Sequence, residues 1–376
     1  MNNLITFFIL AGSKKITSEP DGWVKKTREA MVFDLLGKLN SIETIDRVII
    51  SSNDDDFLDA VTVNGSDSRI IPDKYHSTNS FNFGKWLNDR ILKYNPKNVF
   101  YWGAGASPFI TRELLASFCA SISAGKNILY TNNFFSADWV AFTPAEASLE
   151  ITPPPMDNNL AYYLWQDRAL RSIYIAPSVE IIGDVDTPAD LLVLKVHPNT
   201  PPHTADYLKT LDIDTTRIKK FISFLPERNK IFLSGRVGSS LFKYLDTRSP
   251  CKYRIISEER GMRSSGRLQR REVRSFLGEM IEEVGLDTVF KFIEETSKGA
   301  VIDSRVIFAH ICKKVSTKDR FYSDLGIPGK IEDPFVKEFT KRVVNSPIPI
   351  LAGGHSLILG GLWALVSAFG ELPAFY

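Results

Sequence analysis

The stretch TFFILAGSKK, residues 6–15, decides how the chain is read. An apolar run reaches Leu10 and breaks at Ala11 and Gly12, and Ser13, Lys14 and Lys15 follow at once. Such an uninterrupted run fits a strand buried on both faces, which implies a parallel sheet covered by helices. A glycine after the strand lets a ligand approach the backbone, whose N–H groups can meet a base or a phosphate. Many buried strands end the same way, so the rest of the chain has to decide.

Outward from this run, apolar and amphipathic stretches alternate. Residues 27–39 have helical spacing, 47–51 and 68–72 read as strands, 83–94 as a helix and 98–102 as a strand. This βαβ rhythm implies a three-layer, mostly parallel α/β sheet with helices on its faces. Three consecutive prolines make 148–158 an extended loop. A strand is expected to end near Gly183. The DTPADL run then opens a helix, with Thr187 as N-cap, Pro188 at the first position and Asp190 closing a capping box. The proline-rich run 197–204 sets the expected boundary: a first domain over 1–196, a linker over 197–228, and a second α/β, helix-rich domain over 229–376. In the second domain, 229–237 and 251–257 read as strands and 239–245, 271–284 and 287–296 as helices.

The 376 residues favour two domains. A net charge of +2 gives no bulk attraction to nucleic acid. Cys119, Cys251 and Cys312 lie far apart, without zinc or redox spacing, so free thiols in a reducing compartment are expected. The N-terminus has no secretory pattern, and a cytoplasmic location is the expectation. Residues 347–370 carry no Asp, Glu, Lys or Arg and are long enough to span a bilayer. Their two Gly-Gly pairs, His355 and early prolines fit a buried strand, a turn and a helix equally well. The membrane reading is kept as the lesser alternative.

Three features stand in one order: the LAGS turn, FYWGAGASPFITRELL at 100–115, and GDVDTPADLLVL at 183–194. Together they resemble the nucleotide-diphospho-sugar transferase superfamily. Within it they are similar to nucleotidyltransferases of the molybdopterin guanylyltransferase and phospholactate guanylyltransferase type. The resemblance covers about residues 4–195. It implies that Leu10, Ala11, Gly12, Ser13 and Lys15 form a nucleotide turn, and that Lys14 and Lys25 neutralise a triphosphate as catalytic cations. It places Asn79, Ser80 and Asn82 near the base or ribose, where helix capping explains them equally well. The metal-binding Asp of the family falls on Ala106, which cannot ligate a cation, so Asp184 and Asp186 remain as candidate ligands for Mg²⁺.

The implied activity is transfer of a nucleotidyl group from a nucleoside triphosphate to a phosphorylated small-molecule acceptor, with pyrophosphate leaving. Two alternatives stand beside it. One is a non-catalytic nucleotide- or sugar-nucleotide-binding protein with a lost metal site; the other is a glycosyltransferase on the same fold. The expected partners are thus a nucleotide and an acceptor, with a homo-oligomer also expected and no nucleic acid or membrane.

The C-terminal half carries no family motif. Arg236 and Arg260 follow strand ends, where open α/β sheets bind ligands, and arginine there suits an anion. Asp303, Arg305 and His355 complete this second candidate site, with internal ion pairing as the other reading of Asp303 and Arg305.

Overall fold

A computed structural model describes residues 4–12, 15–64, 67–75, 81–258, 261–262, 266–312 and 314–372. The chain forms two compact units. The first comprises Lys25–Asp184 with the N-terminal strand and Pro201–Thr204; the second comprises Ile16–Val24, Val185–Thr200 and Ala205–Tyr376.

The first unit is built on seven strands: β1 Ile5–Leu10, β2 Ile45–Ser52, β3 Ile70–Lys74, β4 Asn98–Gly103, β5 Ile128–Thr131, β6 Trp139–Thr143 and β7 Arg171–Ser172. Their order is β3-β2-β1-β4-β6-β5-β7. Strand β1 lies inside the sheet, parallel to β2 and β4, as its unbroken apolar run requires. Its side chains alternate between two cores. Phe7 and Ile9 pack with Val32 and Leu35 of the helix Glu19–Leu39. Phe8 packs with Phe83, Trp86 and Ile91 of the helix Phe83–Tyr94 on the opposite face. Both faces are therefore covered, which is the expected three-layer α/β class. Strand β6 runs antiparallel to β4 and β5, and no sequence pattern pointed to it.

The second unit has a four-stranded parallel sheet: β8 Lys230–Gly235, β9 Lys252–Ser257, β10 Gly299–Asp303 and β11 Ile350–Gly353, in the order β11-β10-β8-β9. Phe232, Ile302 and Ala352 face a core with Leu277, Phe308 and Phe339. The helix expected over 271–284 begins later, at Phe276, because the Ser275 side chain caps it by accepting from Gly278 N.

The structure differs from the expected domain boundary. Residues 185–200 belong to the second unit although the expected first domain ran to 196. The reason is packing. A Cβ on Gly353 would lie 2.5 Å from Ala189 Cβ, and one on Gly354 3.0 Å from Thr187 Cγ2. The helix Pro188–Val196 thus seats on the turn after β11. Nor does a strand end at Gly183: Val179–Ile182 is a helical turn, followed by a single bridge between Asp184 and Ala106. The apolar tract 347–370 resolves into β11, a wide helical turn at Leu357–Gly361 and the helix Leu362–Phe369. No helix among the described residues is long and apolar enough to cross a membrane.

Candidate functional site

Strand order reverses direction between β1 and β4, and in open α/β sheets the crevice at such a switch point receives the ligand. The nucleotide turn predicted from sequence lies at this place. Leu10 O accepts from Ala104 N at 3.1 Å, and Ala11 N donates to Ser51 O at 2.9 Å. Ser52 Oγ donates to Ala11 O at 3.0 Å. The backbones of Leu10 and Ala11 are thus tied to their neighbours. Gly12 is exposed, and its N–H has no hydrogen-bond partner among the described residues. It is the donor available to a ligand.

The space over Gly12 belongs to Tyr75. A Cβ on Gly12 would lie 1.5 Å from the Tyr75 hydroxyl oxygen. Burial, countered by Arg90, pushes the Tyr75 phenol up to about 12, so it stays a neutral donor. At the end of β4, Gly103 N donates to Asp138 O at 2.9 Å. The buried Tyr101 hydroxyl donates to Asp157 Oδ2 at 2.7 Å. Burial first, and then the charge of Asp157, hold the Tyr101 phenol well above its usual range. Sequence reading missed Tyr75, Asp138 and Asp157. None stands in a motif, and only the order of the strands places them at the switch point.

The cations fare differently. Lys15 is exposed. Lys25 pairs with Glu29 at 3.1 Å and with Asp54. Burial opposes its charge, and the two carboxylates overcome this and raise its pKa. An ammonium held by two carboxylates has its charge already offset, so Lys25 does not match the open triphosphate cation expected. Asn82 caps the helix Phe83–Tyr94, its side chain accepting from Lys85 N at 2.9 Å. That is the capping alternative. Ser13, Lys14, Asn79, Ser80 and Arg260 lie outside the described residues.

The second and third motifs meet, but as structure. Ser107 has φ 42°, in the left-handed region, and is buried. Its N–H donates to Gly183 O at 2.7 Å and its Oγ to Ile181 O at 2.7 Å, while Trp139 Nε1 donates to Oγ at 3.1 Å. Ala106 is buried and pairs through its backbone with Asp184. Asp186 falls in the second unit, where its N–H donates to Asp190.

Ala106 takes one carboxylate away from a Mg²⁺ site at this place and leaves Asp184 and Asp186 as its candidate ligands. Hard divalent cations want several converging oxygens, and Ala106 supplies none. Among the described residues the one group of three metal-ligating side chains is Glu279, Glu282 and His310, in the second unit. There His310 Nδ1 accepts from Ser275 N at 3.0 Å, leaving the proton on Nε2, which lies 3.1 Å from Glu282 Oε2. A protonated Nε2 cannot ligate.

In the second unit the structure brings together Arg236, Asp303 and Arg305. Arg236 Nε donates to Asp303 Oδ2 at 2.9 Å, and Arg305 pairs with buried Asp324 at 2.5 Å. Asp303 and Arg305 are thus each paired internally with a partner distant in sequence, as the ion-pairing reading of these two residues expects. His355 is half-buried in the turn after β11.

No family model matches the chain, and no curated protein matches it. Solved structures that it is similar to include 4-diphosphocytidyl-2C-methyl-D-erythritol synthase from Anaerococcus prevotii (14% identity, 46% of this chain and 86% of that one, TM-score 0.33). A cytidylyltransferase from Leptospira borgpetersenii matches at 16% identity over 59% of this chain and 96% of its own, TM-score 0.38. A CMP:2-keto-3-deoxy-manno-octonic acid synthetase complexed with CTP matches at 12% identity over 51% and 95%, TM-score 0.35.

Proposed function

We propose that the first unit binds a nucleoside triphosphate or sugar nucleotide in the crevice between the carboxyl ends of β1 and β4. The observation that carries this reading is Gly12, a glycine with an unused N–H at the switch point of the sheet. Tyr75 and exposed Lys15 supply a further donor and a cation. The resemblance of the three motifs supports a nucleotidyltransferase-like protein. Transfer to a phosphorylated acceptor is the second reading. It needs positive charge on the departing pyrophosphate, and Lys25 is spent on Glu29 and Asp54 while Ala106 offers no metal ligand. Binding without Mg²⁺-dependent turnover is therefore the reading the side chains favour.

The test is calorimetric titration of the four common nucleoside triphosphates, each with Mg²⁺ and with chelator. At least one should bind, with an affinity that Mg²⁺ changes by less than about threefold (under ~1 kcal/mol). In Gly12→Val the new side chain must displace Tyr75 and fill the crevice, so binding should fall by roughly tenfold or more. Strong Mg²⁺ dependence with pyrophosphate release would restore the transferase reading. Unchanged affinity in Gly12→Val would remove this turn from the site.

A further inference from the structure

We infer that the first unit takes a ribonucleotide and that Asp157 holds its vicinal ribose hydroxyls. The inference rests on the nucleotide reading above and adds the part of the ligand that meets β4. Strands β1 and β4 pair in register, with Leu10 opposite Gly103. Side chains alternate between the two faces of a strand. Leu10, Tyr75 and Tyr101 pack on one core, and Phe100 and Trp102 on the other. Gly103 therefore faces the same side as Tyr101, which is the side on which Tyr75 stands over Gly12. A half-buried glycine thus ends β4 beside the switch point.

The acid at this place is Asp157. A Cβ on Gly103 would lie 4.0 Å from Asp157 Oδ2, 3.7 Å from the Tyr101 hydroxyl oxygen and 3.1 Å from Asp138 O. Two donors fix the Asp157 carboxylate. The hydroxyl of wholly buried Tyr101 donates to Oδ2 at 2.7 Å, and Asn158 N donates to Oδ1 at 3.0 Å. Asp157 itself is only half-buried, so its carboxylate is held in place and still open to a ligand. Asp138 meets Gly103 through its backbone oxygen, while its carboxylate accepts from Asn132 Nδ2 at 2.6 Å.

The two sides of the crevice differ in sign. On the β1 side stand the Gly12 N–H, the Tyr75 hydroxyl and exposed Lys15, which are donors and a cation. On the β4 side stands a carboxylate. A phosphate chain fits the first side and is repelled by the second. Next to the phosphates in a nucleotide comes the ribose, whose hydroxyls are neutral donors. A fixed carboxylate accepts a vicinal pair of them with its remaining lone pairs, and an acid is the usual acceptor for ribose hydroxyls in nucleotide sites. Neighbouring strands lie about 4.8 Å apart, so a ribose over Gly103 keeps its phosphates within reach of Gly12.

The test uses the full chain and the nucleoside triphosphate that binds it best, beside the 2′,3′-dideoxy form of the same nucleotide. Each is titrated by calorimetry, with Mg²⁺ and with chelator, into wild type, Asp157→Asn and Tyr101→Phe. The ratio of the two affinities within one protein does not depend on how much of that protein is folded. In the wild type the dideoxy form should bind ~10-fold or more weakly. In Asp157→Asn, which loses the charge and half of the acceptor capacity, the two should agree within about threefold. Tyr101→Phe releases the carboxylate without removing it, and its ratio should fall between the other two. Equal binding of the two forms to the wild type would overturn the inference and leave the nucleotide reading standing, whereas no binding of any triphosphate would end both. An undiminished ratio in Asp157→Asn would overturn the role of Asp157. If that variant also lost a dependence on Mg²⁺ that the wild type shows, Asp157 would be a metal ligand instead.

Discussion

Asp190 shows how much one side chain settles. Its Oδ2 accepts from Asp186 N, Thr187 N, Thr187 Oγ1 and Ser356 Oγ at 2.8–3.0 Å. Burial nevertheless outweighs these donors and, with the nearby charge of Asp186, pushes the carboxyl up to about 7. A raised acid makes its contribution to stability below its unfolded pKa of about 4 and loses it as pH rises through the folded value. Stability should therefore fall between about pH 4 and 7 on account of this group. Asp190→Asn keeps the acceptor oxygen and cannot ionise, so denaturant midpoints measured across that range should show a flatter slope in the variant. An unchanged slope would mean that Asp190 does not titrate there. Ser107 is a second case. Ser107→Ala strands Ile181 O and Trp139 Nε1 in a buried place, and chemical denaturation should show a loss of about 1–3 kcal/mol.

At the scale of elements, what could be read in the sequence was what is written locally. Strand β1 was legible because five of its six residues are apolar, four of them in the unbroken run Phe7–Leu10. The helix Phe83–Tyr94 was legible to its ends because Asn82 caps it and Trp86 and Ile91 mark its buried side. The antiparallel β6 was not, because strands of four and five residues around a short loop carry too little alternation. The capping box at Thr187 was legible, but its place was not. Its fourth donor, Ser356, lies 166 positions away, and no local signal links the two. The same distance hid the role of the Gly353–Gly354 pair, which reads in the sequence only as a turn after a buried strand and is the seat of a helix. Gly353→Ala should cost about 1–3 kcal/mol by overpacking against Ala189. Ala189→Gly in the same chain should recover part of it, less the ~1 kcal/mol that glycine costs a helix. A double-mutant cycle reads this directly, and purely additive losses would show that the two residues do not press on each other.

For the whole molecule, the division of the chain matters more than any single boundary. A cut at the proline-rich run 197–204 would separate the helix Pro188–Val196 from the unit that it belongs to. In that helix Leu191, Val193 and Leu194 are buried, and a Cβ on Gly361 would stand 3.3 Å from Val193. Three such side chains are worth on the order of 5–9 kcal/mol, an upper figure because the unfolded chain hides part of the same surface. A domain of this size is commonly stable by only about 5–15 kcal/mol. A fragment of residues 205–376 should thus melt far below one of residues 185–376, or fail to show a cooperative transition at all. Circular dichroism melts of the two fragments decide the matter. Coincident melts would mean that the helix contributes nothing to the second sheet, and that the DTPADL run serves the first unit after all.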